Sequence, residues 1–270
     1  MLKLRILTAV ILACLLLTGL FVLEPRWTVL AFGAVFTYGA WEWAGFGGWS
    51  AAPARLAYAC GIALLLLLCW RWTADPGNLK ILLGVACAWW VIALGWLLLA
   101  PERHPRRLAL ACGVPVLVPS FIALSRLDLA GHGTVRGPQI VLWLVLLVIS
   151  ADIGAYSAGR TLGRHKLAPR VSPGKTWEGA AGGLLIVALV AWAGAAHFGL
   201  PAAPCIAFGC AVGIFSVVGD LTESMFKRSA GLKDSGALLP GHGGMLDRID
   251  SVTAAAPLYA LGLFGSGAIA

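Results

Sequence analysis

The polar segment SMFKRSAGLKDSGALLPGHGGMLDRID, residues 224–250, concentrates residue types that bind phosphate groups and metal ions. It holds four cations, three acids, one His and six Gly or Pro residues in 27 positions. The sequence on either side is apolar enough to lie in a membrane. A polar segment of this composition predicts a functional site rather than a simple connector between two apolar helices.

Helical spacing groups several charged residues at the start of this segment. Asp220, Glu223, Ser224, Lys227 and Arg228 stand at i, i+3, i+4, i+7 and i+8, so a helix continuing from the preceding apolar stretch would place them on one face. Two acids and two bases on one stripe could form a self-neutralising ion-pair array. Because the stripe emerges directly from an apolar stretch, unpaired charge there is costly, and we favour a functional role.

The glycine-rich run SGALLPGHGG at 235–244 suits close approach to an anion. Glycines let the backbone come near a ligand, and successive N–H groups, here those of Gly243 and Gly244, can form a nest for phosphate oxygens. A flexible turn is the alternative interpretation. His242 could contact phosphate, act in proton transfer or cap the turn, and the sequence leaves all three roles open.

Asp247, Arg248 and Asp250 follow at once, before the last apolar stretch. On a helix, Asp247 and Asp250 share one face, as two ligands of one ion on one helix must. Mg²⁺ prefers oxygen ligands and usually binds one or two protein carboxylates together with substrate phosphates. Acids among Lys and Arg therefore indicate a metal-assisted phosphate reaction, with a salt-bridged helix start as the alternative.

The segment resembles, without a gap, the signature of the phosphatidate cytidylyltransferase (CDP-diacylglycerol synthase) family. The matching residues are Ser224, Phe226, Lys227, Arg228, Lys233, Asp234, Gly236, Leu239, Pro240, His242, Gly243, Gly244, Met245, Asp247, Arg248, Ile249 and Asp250. A second block of that family is matched by Asp152, Ala155, Tyr156, Gly159, Arg160, Gly163, Ser172, Pro173, Lys175, Thr176, Trp177, Glu178 and Gly179. Gly174 departs from the pattern, because many relatives have lysine there.

The run SPGKTWEG at 172–179 contains GKT but is not a P-loop. A Walker A motif needs Gly at the position of Pro169, and no βαβ pattern surrounds it. Lys175 and Thr176 could still hold phosphate in another way. Nearby cations would attract anionic nucleotide or lipid headgroups, or only enforce membrane topology; they are Arg160, Arg164, Lys166 and Arg170.

Two acids, Asp152 and Glu42, fall inside predicted membrane spans. A charged group at membrane depth costs at least about 2.5 kcal/mol and usually faces a polar cavity. Asp152, followed by Tyr156, lies close to the polar loops, and we expect it to be functional. For Glu42, which resembles the family less specifically, we prefer a buried structural pair or a protonated carboxyl group.

The elements that position these residues are predicted to be membrane helices. The 270 residues are 60% hydrophobic and only 12% charged, with a mean hydropathy of +0.87, whereas soluble domains carry about 25% charged residues. We predict one all-α, polytopic integral membrane domain with about nine transmembrane helices. The spans are placed at 5–23, 28–48, 56–72, 79–99, 107–124, 138–157, 180–200, 203–219 and 251–268. Seven Cys without a CxxC pair predict free, buried thiols.

The positive-inside rule orients these helices. With the N-terminus inside, the outer segments hold only five of the twenty Lys and Arg residues: Arg26, Arg71, Lys80, Arg126 and Arg136. The net charge of +8 is therefore interpreted as a signal for topology and anionic lipid, not for nucleic acid. Both polar loops, 158–179 and 220–250, then lie on the cytoplasmic side and could converge on one site.

The family resemblance implies the reaction CTP + phosphatidate → CDP-diacylglycerol + pyrophosphate. It implies Mg²⁺, with room for a second cation, and a homodimer surrounded by membrane lipids. The expected location is a bacterial inner (cell) membrane, with the active site facing the cytoplasm, the N-terminus in and the C-terminus out. Residues 138–270 would form the catalytic half, supported by the spans within 1–137.

The predicted roles follow from this reaction. Asp220, Asp247 and Asp250 would bind metal. Phosphate groups would be neutralised by the cations Lys227, Arg228, Lys233 and Arg248, and held by His242, Gly243 and Gly244. Ser224 and Asp234 would orient ligands. Further substrate contacts would come from Asp152, Tyr156, Arg160, Ser172, Lys175 and Thr176.

Two other functions stay open at this point. A related CTP-using enzyme could act on another phosphorylated lipid or a polyprenol, since the motif defines the nucleotide chemistry better than the lipid. A membrane transporter could use Asp152 and Glu42, but the charges cluster at one surface and no internal repeat is evident. A CDP-alcohol phosphotransferase is disfavoured because its DG…AR…G…D…D spacing is absent.

Overall fold

The computed structural model describes residues 2–101, 106–132 and 135–269. Arg103, which the predicted orientation places on the inner side, lies outside these ranges. Every predicted span corresponds to one helix within the described residues. The helices are α1 (Leu2–Phe21), α2 (Pro25–Trp43), α3 (Ala52–Trp72), α4 (Pro76–Leu99), α5 (Arg106–Leu129), α6 (Gly137–Leu162), α7 (Trp177–Phe198), α8 (Ala202–Ser229) and α9 (Leu246–Ser266).

Six of these helices, α3 to α8, are long and apolar enough to cross a membrane. Within the part of α1 whose side chains the structure describes, Ile6–Phe21 forms a shorter apolar helix, and α2 and α9 are long enough to span but less apolar than the six. Both α2 and α9 carry charged residues, among them Glu42 and Asp250. The protein is thus a membrane protein with six supported spans, and nine crossings remain a prediction.

Two short antiparallel strand pairs modify the all-α prediction. Strand β1 (Gly131–His132) pairs with β2 (Val135–Arg136), and β3 (Lys166–Ala168) pairs with β4 (Ser172–Thr176). The β3–β4 hairpin occupies the polar loop between α6 and α7. Strands of this length have too few residues for a detectable apolar alternation, so the sequence did not predict them.

Helix α8 extends well beyond its predicted end at 219 and reaches Ser229. The charged stripe that begins at Asp220 is therefore helical, as its spacing predicts. Helix α9 begins at Leu246, so Asp247 and Asp250 lie one turn apart, again as predicted. The chain turns between α7 and α8 at Gly199, whose φ of 67° is in the left-handed region.

Close helix packing brings the polar ends of α6 to α9 together. Helix α6 packs along α7, and α8 packs against both α7 and α9. A side chain at Gly154 of α6 would collide with the backbone of Gly182 and Gly183 in α7. One at Gly219 of α8 would collide with the backbone of Asp250. The acidic segment of α8 therefore lies directly against the start of α9.

The N-terminal helices pack against α6 to α9. The ring of Trp43, the last residue of α2, lies 5.4 Å from that of Phe226 in α8, and both side chains are buried. The expected burial of the cysteines holds for Cys112 but is wrong for Cys14 and Cys60, which are exposed on outer helix surfaces. Single apolar residues on such surfaces are the rule in a membrane, where the surrounding lipid is itself apolar.

Candidate active site

A polar cavity of about 290 Å³ lies where α6, α8 and α9 meet the loop before α9. Its wall contains Lys227, Arg248 and Ser251 together with five carboxylates. The carboxylates are those of Asp152, Asp220, Asp234, Asp247 and Asp250. Seven predicted site residues therefore converge on one cavity, including all three predicted metal ligands.

The two polar loops meet at Asp220, as predicted. Lys175 of β4 places its Nζ 2.5 Å from Asp220 Oδ2, and each side chain is 26% exposed. Ser224, one turn further along α8, donates a hydrogen bond to Asp220 Oδ1 at 3.3 Å. The Asp220 carboxylate is thus held by a cation from the first loop and a hydroxyl group from its own helix.

Lys227 is buried between two carboxylates. Its Nζ lies 2.6 Å from Asp247 Oδ1 and 3.2 Å from Glu223 Oε1, and the three side chains are 8% exposed or less. Buried charges need such partners, because removing an ion from water is costly. Lys227 therefore neutralises acids of the protein itself, a contact that the predicted phosphate role did not include. The i, i+4 spacing of Glu223 and Lys227 is the sequence signal for this pair.

Asp247 organises the loop in front of α9. Besides Lys227, its carboxylate accepts hydrogen bonds at Oδ2 from Ser235 N at 2.9 Å, Ser235 Oγ at 2.9 Å and Gly244 N at 2.8 Å. The Gly244 N–H, predicted to hold phosphate, thus already has a partner in this structure. Asp247 connects α8, the loop and α9 through one side chain.

The glycine-rich run forms a tight turn. Leu239 and Gly243 form an isolated antiparallel bridge, and His242 N donates to Leu239 O at 2.9 Å. Gly241 and Gly243 have φ values of 78° and 81°, in the left-handed region where other residues are strained. The glycines therefore set the path of the backbone toward Asp247.

Glu42 is a site residue that comes from the N-terminal half. It is 1% exposed, and its carboxylate accepts hydrogen bonds from Ser235 Oγ at 3.0 Å, Met245 N at 3.1 Å and Leu246 N at 2.9 Å. These contacts agree with the preferred structural role. Ser235, which contacts both Glu42 and Asp247, was not predicted, because its partner in α2 stands 193 residues away.

Residues of the polar loop 158–179 and of the start of α7 mainly fix the β3–β4 hairpin. Thr176 is buried, and its Oγ1 accepts a hydrogen bond from Gly179 N at 3.1 Å as the N-cap of α7. Glu178 accepts hydrogen bonds from Arg164 N at 3.1 Å and His165 N at 3.2 Å. These bonds fix the hairpin in the position from which Lys175 of β4 contacts Asp220.

The other predicted residues lie outside the cavity wall. Tyr156 and Arg160 are exposed, and the Arg160 guanidinium donates to the Tyr156 hydroxyl group at 2.5 Å. Arg228 is exposed and donates to Leu232 O at 3.1 Å. The complete set that does not line the cavity is Tyr156, Arg160, Ser172, Lys175, Thr176, Ser224, Arg228, Lys233, His242, Gly243 and Gly244.

The donor chemistry of the cavity suits Mg²⁺, which prefers carboxylate oxygens. Within the described residues, no three His, Cys, Asp or Glu side chains form a ready metal-binding group. Lys175 and Lys227 engage Asp220 and Asp247, and Asp250 Oδ1 accepts from Ser251 N at 2.7 Å. Because Mg²⁺ commonly binds proteins through one or two carboxylates plus substrate phosphates, the residues fit an ion that arrives with a phosphate ligand.

Comparison with known proteins defines the class to which this fold and cavity belong. The model of the family described as "Cytidylyltransferase family" matches residues 3–264, and the chain belongs to that family.

Three relatives carry the same printed name, phosphatidate cytidylyltransferase. The one from Pseudomonas aeruginosa is 42% identical over 277 residues, covering 99% of this chain and 98% of the relative. The one from Haemophilus influenzae is 38% identical over 283 residues, with coverage of 96% and 97%. The one from Brucella suis is 48% identical over 154 residues, about half of each chain at 54% and 53%. The resemblance drawn from the two polar blocks is confirmed.

Proposed function

We propose that this protein transfers the cytidylyl group of CTP to phosphatidate, giving CDP-diacylglycerol and pyrophosphate. The observation that carries the proposal is the near end-to-end match to two relatives named for this activity. The cavity supports it chemically, because five carboxylates and two cations meet at the polar end of membrane helices. A lipid phosphate and a soluble nucleotide can both reach such a position.

In this reaction an oxygen of the lipid phosphate attacks the α-phosphorus of CTP, and pyrophosphate leaves in line. Such transfer depends on positioning and on neutralising charge more than on covalent catalysis. Arg248 lies on the cavity wall and exposed Lys233 follows α8, so both are placed to meet phosphate oxygens. We assign no general base, because a phosphate oxygen of phosphatidate is already anionic near neutral pH.

Asp220, Asp247 and Asp250 are the residues that we propose to hold Mg²⁺. When bound, such an ion neutralises the triphosphate and orients the leaving pyrophosphate. The chain's own contribution is to hold the three carboxylates on α8 and α9 at fixed separation through the close contact at Gly219. We also propose that this end of the bundle faces the cytoplasm, since the topology with the N-terminus inside leaves only five of the twenty cations in outer segments.

The reaction can be tested with purified protein in mixed micelles containing phosphatidate, labelled CTP and Mg²⁺, with and without chelator. We expect CDP-diacylglycerol and pyrophosphate in equal amounts, and none in the presence of chelator. Product only with another phosphorylated lipid or a polyprenyl phosphate would replace the acceptor in the proposal. Folded protein that does not bind CTP would refute it.

Replacing Gly244 by Ala is expected to lower kcat for this reaction by about 10- to 100-fold. The added methyl group would collide with Ser235 Oγ and with the Glu42 carboxylate, which displaces the loop that holds Asp247. Gly174→Ala is the matched control, because a methyl group there meets nothing within 4 Å. Equal activity of the two variants would show that the loop tolerates the displacement.

A further inference from the structure

We propose that Glu42 and Ser235 are positioning residues for cytidylyl transfer, acting through Asp247. This inference rests on the proposed function. It makes the N-terminal half of the chain, otherwise a support for the catalytic half, a direct determinant of the geometry of the site.

Glu42 serves as the cap of a helix to which it does not belong. The first N–H groups of any helix lack partners within it, and Met245, the N-cap residue of α9, provides no side-chain cap. The Glu42 carboxylate accepts from the N–H groups of Met245 and Leu246 instead. Negative charge is also favoured at a helix N-terminus by the helix dipole. Glu42 therefore fixes where α9 begins, and with it the position of Asp247.

Ser235 joins the Glu42 and Asp247 carboxylates. Its Oγ lies 3.0 Å from Glu42 Oε2 and 2.9 Å from Asp247 Oδ2. A hydroxyl group has one proton to donate, so it serves these two carboxylates one at a time. Since Asp247 also binds Lys227, a continuous chain of contacts runs from α2 through the loop to α8.

The surrounding backbone packs closely around the Glu42 carboxylate. A side chain at Gly236 or Gly244 would collide with Glu42, so glycine at both positions leaves room for its carboxylate. On the same loop, Pro240 O accepts a hydrogen bond from Thr8 of α1 at 3.2 Å. Two N-terminal helices thus hold the loop that carries the Asp247 contacts.

Ser235→Ala and Ser120→Ala form a matched pair for testing this inference. Ser120 is also buried, and its Oγ lies 2.6 Å both from Thr253 O in α9 and from Val116 O in its own helix, but it lies outside the chain of contacts to Asp247. Each substitution removes one buried hydroxyl group. We expect kcat of Ser235→Ala to fall about 10- to 100-fold below that of Ser120→Ala, with KM for phosphatidate unchanged within about threefold.

Amide hydrogen exchange gives a readout that does not depend on activity. In Ser235→Ala the amides of the loop segment 235–246 are expected to exchange faster than in wild type. The amides of the helices are expected to exchange at the same rates as in Ser120→Ala. Equal exchange and equal kcat in the two variants would overturn the inference and leave Ser235 with a packing role.

Replacement of Glu42 tests the other end of the chain of contacts. Gln retains a carbonyl oxygen for the α9 N–H groups and offers an N–H to Ser235 Oγ, so Glu42→Gln is expected to keep at least about 10-fold more activity than Glu42→Ala. Equal loss in both would contradict a positioning role. If Glu42→Ala does not fold, the activities of Glu42→Gln and Ser235→Ala still test the positioning role.

A wild-type protein that makes no CDP-diacylglycerol would refute the proposed function, whereas the exchange comparison would still test the contacts themselves.

Discussion

Asp247→Asn is expected to reduce cytidylyl transfer by about 100- to 1,000-fold, a loss typical of removing one fixed charge from an active site. The amide keeps one oxygen, which can still accept from Ser235 and Gly244. Its NH₂ group then faces the Lys227 ammonium group, which lies 2.6 Å from the present carboxylate. The variant therefore turns an attractive contact into a repulsion and removes a proposed metal ligand. Initial rates over a range of Mg²⁺ concentrations measure the effect.

Asp75→Asn is the control for this substitution. Asp75 is also an acid at a helix start, accepting from Asn78 N at 3.0 Å as the N-cap of α4, and Asn caps helices about as well as Asp. We expect it to retain wild-type activity. Full Mg²⁺-dependent activity of Asp247→Asn would remove the central assignment of the site.

Lys227→Met is expected to destabilise the protein by about 3–5 kcal/mol, because it leaves buried acids without their cation. Met preserves most of the apolar stem, so the change isolates the charge. Glu223 and Asp247 would then repel each other where little water can screen them, since their side chains are 3% and 7% exposed. A fall in the apparent melting temperature in detergent, together with loss of activity, is the expected result.

A second substitution separates charge from packing in this cluster. Glu223→Gln removes one of the two acids, so the double variant Glu223→Gln/Lys227→Met is expected to melt at a higher temperature than Lys227→Met alone. Lys233→Met, at an exposed position, should leave the melting temperature unchanged. Additive losses in the double variant would show that Lys227 contributes by packing and not by pairing.

The helices were predictable because membrane spans depend on apolar length, a property of consecutive residues. The continuation of α8 through Asp220 and Lys227 was also readable, since a 3.6-residue period carries on in the charged positions. The β3–β4 hairpin was not, because its strands are held by backbone pairing and by Glu178, which accepts from Arg164 and His165 further back in the chain. Local sequence does not encode such a contact.

Seven of the eighteen predicted site residues line the cavity, whereas most of the contacts among them were not predictable. Composition identifies Asp220, Asp247 and Lys227 as residues for phosphate or metal chemistry, and the structure places them on one cavity. The i, i+4 spacing indicated the pair of Lys227 with Glu223, but the contact of Lys227 with Asp247 depends on how α8 packs against α9, which the sequence did not reveal. The partners of Glu42 are even less accessible to sequence reasoning, as they follow it by about 200 residues.

That separation also has a consequence in time. The Glu42 carboxylate and the Leu246 N–H group lie 204 residues apart in the chain. At ribosomal speeds of about 5–20 residues per second, α9 emerges about 10–40 s after α2. Throughout that interval the Glu42 carboxylate lacks the Met245 and Leu246 N–H groups from which it accepts hydrogen bonds in the finished protein. The start of α9 therefore supplies the hydrogen-bond donors that Glu42 of α2 lacks until then. A chain that stops short of Met245 has a Glu42 carboxylate without these donors, and this distinguishes it from a finished chain.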